Sequence, residues 1–215
     1  MSNTILVNIG FSLSDPLHKS ILNISQQIRK DYDSDWYLDD EKYHLHFPMY
    51  LIPIPEHNRT QISNTANQYL NHCTRLEVEV KDMFYNTNDL IMIKFALTKE
   101  LLELHTLSLE FFNPLREDLQ RDKYLNKEYL NDISKKKASY IKDYGSEYIL
   151  DNYVPHVTIA RIKSSEDREK ILARYRESLI GSKGLLNRLQ VHTPIFSTNK
   201  DEDKTVLLYD EKIIG

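Results

Sequence analysis

The sequence predicts an α+β fold made from two copies of one strand-and-helix pattern, and three observations predict it. Tyr43-His44-Leu45-His46-Phe47-Pro48-Met49-Tyr50-Leu51 is dominated by aromatic and aliphatic residues that suit a pleated, half-buried strand. Val154-Pro155-His156-Val157-Thr158-Ile159-Ala160-Arg161-Ile162 has the same character. The elements around these two segments then recur in the same order in each half of the 215-residue chain.

In the first half, Thr4 to Phe11 reads as a strand, and Ser14 with Pro16 opens a helix. Leu17, Ile21, Ile24 and Ile28 recur at spacings of four, three and four, the stripe of an amphipathic helix. An Asp-rich loop with Trp36 spans 30–42, and Pro53 and Pro55 end the first histidine strand. Trp36 is read as a buried residue, with stacking on a nucleobase as the other reading. Ile62, Ala66, Tyr69 and Cys73 mark a second helix. Leu76, Val78 and Val80 alternate with charged residues as a strand, and Leu90 to Leu97 is a nearly continuous apolar strand after turn residues 86–89.

The second half repeats this order. Leu101, Leu104, Ser108, Phe112, Leu115 and Leu119 share one face of a long predicted helix. After the second histidine strand come a helix with Ile171, Tyr175 and Leu179, a strand with Leu189, Val191, Thr193 and Ile195, a polar turn at 197–204, and a closing strand at 206–214. The strand at 90–97 serves as the end of one half and the start of the other. A pseudo-twofold axis relating the halves would bring the two histidine strands together. Residues 121–153 have no counterpart and read as a helical insertion containing Lys135-Lys136-Lys137 and six tyrosines, Tyr124, Tyr129, Tyr140, Tyr144, Tyr148 and Tyr153. Such an excursion is either a solvated insertion whose tyrosines pack on the body, or a binding element in which lysines attract phosphate and a tyrosine stacks on a base.

Composition narrows the function classes. A net charge of −4 and 28% charged residues indicate a soluble globular chain and argue against broad attraction to duplex DNA, while leaving a small anionic substrate open. The single cysteine, Cys73, allows no internal disulfide and no thiolate zinc cluster. No leader-like start or long apolar run is present, so a cytoplasmic protein without membrane contact is expected. One domain over 1–215 and a monomer are expected as well.

Side chains on a strand alternate, so His44, His46, Pro48 and Tyr50 share one face, and His156 and Thr158 share another. Two imidazoles across one phosphate can divide phosphodiester cleavage between them. The neutral ring takes the proton of the attacking hydroxyl or water, and the protonated ring delivers one to the leaving oxygen. The Thr158 hydroxyl and the His46 ring can donate to nonbridging oxygens, where charge builds in the transition state. The alternation rule leaves Arg161 pointing away. His18, His57, His72, His105 and His192 read as surface or packing residues.

The segment from Pro155 to Arg161 resembles the second His-x-Thr/Ser signature of the two-histidine (2H) phosphoesterases, which include the bacterial 2'-5' RNA ligases, also called RNA 2',3'-cyclic phosphodiesterases. Tyr43 to Phe47 sits where the first signature is expected, with His46 in place of the usual Thr or Ser, and the duplicated order is similar to the family's bilobal fold. The resemblance implies two mainly antiparallel sheets lining a central cleft with helices outside. It further implies metal-independent cleavage or ligation of 2',5' or 2',3'-cyclic phosphodiesters without a cofactor, on an RNA end, an oligonucleotide or a cyclic nucleotide. His44 and His156 would be the acid/base pair, with His46, Thr158 and Tyr50 as substrate contacts. In an alternative alignment His46 is the catalytic member. Two other readings are a nucleotide- or RNA-binding module of the same fold without turnover, and a metallohydrolase in which His44, His46 and His156 ligate a metal.

Overall fold

The computed structural model describes residues 4–39, 41–195 and 204–213. The elements in chain order are β1 (Thr4–Leu13), α1 (Leu17–Asp31), β2 (Trp36–Tyr37), β3 (Phe47–Pro55), α2 (Ile62–Leu70), β4 (Leu76–Tyr85), β5 (Leu90–Phe95) and α3 (Lys99–Phe112). Then come α4 (Lys127–Asp132), α5 (Lys135–Tyr144), β6 (His156–Arg161), α6 (Ser165–Leu179), β7 (Lys183–Ile195) and β8 (Lys204–Lys212). The polar turn expected at 197–204 falls outside the described residues except for Lys204, where β8 begins. Among the described residues, no helix is long and apolar enough to cross a membrane.

The eight strands form one antiparallel sheet in the order β2-β6-β5-β4-β7-β1-β3, with β8 also paired to β7. Strand β4 joins the two lobes. Its first residues, Leu76–Glu79, pair with Lys183–Leu186 of β7, and its later residues pair with β5. One lobe is therefore β8-β7-β1-β3, packed against α2 and α3, and the other is β4-β5-β6-β2, packed against α1 and α6. Each lobe combines strands from both halves of the chain. The repeat read from the sequence is present in the pairing, since β1, β3 and β7 of one lobe correspond to β5, β6 and β4 of the other.

Apolar periodicity explains why these elements form. Leu17, Ile21 and Ile28 of α1 are buried, as are Ile62, Ala66 and Tyr69 of α2, and Ile9, Phe11, Phe47, Ile93, Phe95, Val157 and Ile159 fill the helix-facing side of the sheet. Three boundaries differ from the sequence reading. Helix α3 stops at Phe112 rather than near 119, because Pro114 lacks an N–H and disfavours helical backbone before it; residues 113–116 form a 3-10 turn instead. Strand β7 begins at Lys183, six residues earlier than expected. Gly184 lies within this strand, and its missing side chain leaves room for Leu17, whose Cδ2 a Cβ there would meet at 2.9 Å. Trp36 and Tyr37, expected in a loop, pair with Arg161 and Ala160 at the sheet edge.

The insertion is helical and packed on the body. Arg116, 1% exposed, ties it down by donating to the carbonyls of Leu119, Lys142 and Asp143 and to Asn113 Oδ1. Tyr124 is buried; the Tyr129 hydroxyl donates to the buried Glu147, and that of Tyr140 to Asp151. Lys136 pairs with Asp151 and Lys137 with Glu147. Tyr148 alone of the six tyrosines is among the exposed large hydrophobic side chains.

Candidate active site

Both histidine segments enter the sheet in the same way. His156 is the first residue of β6, and its Nδ1–H donates to the Val154 carbonyl, two residues upstream, at 2.7 Å. His46 immediately precedes β3, and its Nδ1–H donates to the His44 carbonyl, again two residues upstream, at 3.0 Å. A carbonyl only accepts, so both rings carry the proton on Nδ1 and leave Nε2 as the bare nitrogen. The His46 Nε2 accepts from Asn8 Nδ2 at 2.7 Å.

The strand register extends the match. In β6 Val157 faces Ile93, Thr158 faces Met92 and Ala160 faces Ile91, so Ile159 is an extra, bulged residue. In β3 Phe47 faces Phe11, Pro48 faces Gly10 and Tyr50 faces Ile9, so Met49 is the extra residue. Each bulge lies three residues after its histidine. The geometric counterpart of His156 is therefore His46, and Pro48 occupies the position of Thr158. By register, then, it is His46 rather than His44 that matches His156, as in the alternative alignment.

The bulges also correct two side-chain directions, because an inserted residue reverses the alternation beyond it. Tyr50 lies on the face of Ile9, in the core; it is 2% exposed, and its hydroxyl is shared between Asn113 Oδ1 and the Tyr144 carbonyl. Its expected place as a substrate contact is lost. Burial pushes its phenol well above the ordinary tyrosine range. Arg161 faces Leu90, two residues from Met92, and so returns to the face of Thr158. Its guanidinium has no ion-pair partner among the described residues. Lys94, exposed and opposite His156, shares that face. A strict period of two conceals both reversals, and the sequence carries one local signal, Gly10. A Cβ at Gly10 would lie 2.6 Å from the Phe47 carbonyl oxygen, so the bulged strand needs glycine beside it.

Strands β1 and β7 add groups to the His46 side. Asn8 pairs with His192, Gly10 with Gln190 and Ser12 with Arg188, so these side chains share a face. His192, expected to be a surface or packing residue, is 1% exposed and lies beside His46 and His44, with ring centroids at 5.5 and 6.0 Å. Burial, followed by the charges of His46 and His44, pushes its pKa down to about 3. His44 also lines a cavity of about 820 Å³ with Ser12, Asn187, Arg188 and Gln190. His105, by contrast, is a packing residue: it donates to the Met49 carbonyl, accepts from the Leu150 N–H and stacks on Tyr153 at 4.0 Å.

Burial lowers the pKa of His46, and the nearby charges of His156 and His44 lower it further against the hydrogen bond to the His44 carbonyl. Burial likewise lowers that of His156, opposed by the Val154 carbonyl. The charge of His156 thus adds, after burial, to what disfavours a proton on His46. Among the described residues, no three His, Cys, Asp or Glu side chains are grouped to hold a metal ion.

No protein-family model and no curated protein matches this sequence. Solved structures do match the fold. A crystal structure of a phosphoesterase has TM-score 0.56 and 8% identity over 98% of this chain and 99% of its own. E. coli LigT matches over the whole of both chains at 8% identity, with TM-score 0.55 for its complex with 3'-AMP and 0.54 for its complex with phosphate. The chain thus has the two-lobed α+β fold of E. coli LigT.

Proposed function

We propose that the protein is a two-histidine phosphodiesterase acting on 2',3'-cyclic or 2',5' phosphodiesters of an RNA end or small nucleotide, with His46 and His156 as the acid/base pair. One observation carries this reading: two imidazoles stand in equivalent backbone settings, each donating Nδ1–H to the carbonyl two residues upstream and keeping Nε2 unprotonated, and the charge of His156 is among the causes that lower the pKa of His46. General acid/base cleavage of one phosphodiester requires one such ring neutral and the other protonated. The neutral ring removes a proton from water or a hydroxyl, whose oxygen bonds to phosphorus. The protonated ring gives its proton to the leaving ribose oxygen as the P–O bond breaks. Thr158 and Arg161, on the face of His156, would hold the nonbridging oxygens. The fold shared with LigT, a 2'-5' RNA ligase and 2H phosphoesterase, supports the reading.

Purified protein should turn over at least one of 2',3'-cyclic nucleotides, 2'-5' oligoadenylate or cyclic dinucleotides in excess EDTA. Activity lost on chelation and restored by zinc or manganese would overturn the metal-independent mechanism. A second reading draws on Pro48, which supplies no donor where its counterpart Thr158 does: a nucleotide-binding module without turnover. Tight binding with no product after long incubation would favour it.

A further inference from the structure

The two imidazoles are held differently at their second nitrogen. His46 Nε2 accepts from Asn8 Nδ2 at 2.7 Å, so both nitrogens of that ring are bonded to the protein. His156 is bonded through Nδ1, and its Nε2 accepts from no side chain among the described residues. Strand register accounts for the difference. Past the bulge of β3, Leu51 faces Asn8 of β1; past the bulge of β6, Arg161 faces Leu90 of β5. Leu90 is thus the counterpart of Asn8, and its side chain has no N–H to give.

The sense of the Asn8 amide follows from the tautomer of the ring. With Nδ1–H committed to the His44 carbonyl, Nε2 is bare and needs a donor, so Asn8 turns its nitrogen to the ring and its oxygen away. Asn8 Oδ1 is left buried with no partner among the described residues, a rare state for a buried acceptor. Packing of the sheet does not demand this, because a leucine fills the equivalent position in the other lobe.

An N–H donor at Nε2 stabilises the neutral ring and has nothing to offer the protonated one, whose own N–H would point at it. The remaining groups around His46 do not oppose the amide. Among the described residues, the titratable side chains beside the ring are His192 of β7, His44 ahead of β3 and His156 of β6, with Lys94 of β5 opposite His156. Strand β1 brings Asn8, Gly10 and Ser12 to this face, none of them ionisable, and farther along β7 Arg188 is matched by Asp210 of β8.

We infer that Asn8 is a positioning residue that makes the pair unequal: its amide holds His46 as the unprotonated ring, the base, and leaves the proton to His156, the acid. The attacking O–H takes over Nε2 from the Asn8 N–H, one donor replacing another. The ring then draws off the proton as the oxygen bonds to phosphorus, and His156 gives its Nε2 proton to the leaving oxygen. The inference rests on the proposed phosphodiesterase function for these roles, but its first test needs no turnover.

Long-range 1H–15N spectra of the intact protein would give the tautomer and the protonation midpoint of each ring. A scalar coupling across the Asn8 Nδ2–His46 Nε2 hydrogen bond should be present above the His46 midpoint and vanish below it, and that midpoint should lie below the one for His156. Asn8→Leu, which copies the other lobe, should raise the His46 midpoint by about 0.5 to 1 pH unit and move that of His156 less. A residue that merely filled space would give the opposite sign, since an apolar replacement excludes more water and lowers the midpoint. The coupling is read in the parent protein, so the test stands even if the variant fails to fold. In assays across pH, the acid limb of kcat/KM, which reports the base, should move up in Asn8→Leu. No coupling in the parent, a His46 midpoint above that of His156, or a midpoint unchanged or lowered in the folded variant would overturn the role of Asn8. Turnover accompanied by any of these would leave the phosphodiesterase reading standing. The expected coupling and midpoints in a protein that turns over no phosphodiester would do the reverse.

Discussion

The two lobes present the same histidine in the same way and then diverge two residues later. On β6, His156 is followed by Thr158 and, past the bulge, by Arg161, with Lys94 opposite. On β3, His46 is followed by Pro48 and, past an equivalent bulge, by Leu51 opposite Asn8. One lobe therefore offers a hydroxyl and cations, the groups that hold phosphate oxygens. The other offers imidazoles and amides around a cavity. Both lobes share the device that aims an imidazole, while the residues around it differ.

Predictions that test this division run from large effects to small. His156→Ala should lower kcat by about 10² to 10⁴-fold, the usual worth of a positioned acid or base, with a much smaller effect on substrate binding measured by titration. Thr158→Val and Arg161→Ala should each cost about 10 to 10²-fold in kcat/KM. Pro48→Thr restores a hydroxyl at the matching position on the His46 side; if phosphate gripping has been left to the His156 lobe alone, turnover should rise only severalfold or less. A gain comparable to the loss in Thr158→Val would mean that both lobes grip the phosphate.

The pH profile sharpens the comparison further. Burial lowers the pKa of both His46 and His156, so each ring loses its proton below the ordinary value of about 6.5. The window in which one ring is charged and the other neutral is displaced to acid, and kcat/KM, which reports the free protein, should peak on the acid side of pH 6.5. An optimum well above neutrality would mean that neither ring is shifted as its surroundings require.

Much of the fold was legible because apolar period is a strong signal. The stripes of α1 and α2, the duplicated order and the helical insertion all follow from spacing. Where the reading failed, backbone irregularity was the cause. Pro114 cut α3 short, and bulges at Met49 and Ile159 turned Tyr50 into the core and brought Arg161 out of it. Each bulge depends on how a strand meets its neighbour, which a single strand's own sequence does not encode. His192 was missed for a related reason: its nearness to His46 comes from the pairing of β1 with β7, nearly the length of the chain apart.

The pairing of His46, rather than His44, with His156 is tested most directly by single-turnover rates of His46→Ala and His44→Ala on the same cyclic nucleotide. His46→Ala should fall by about 10² to 10⁴-fold, as His156→Ala does, while His44→Ala keeps its chemical step within about tenfold of the parent and shows its loss in KM. A His44→Ala rate as low as that of His156→Ala, with His46→Ala close to the parent, would contradict it.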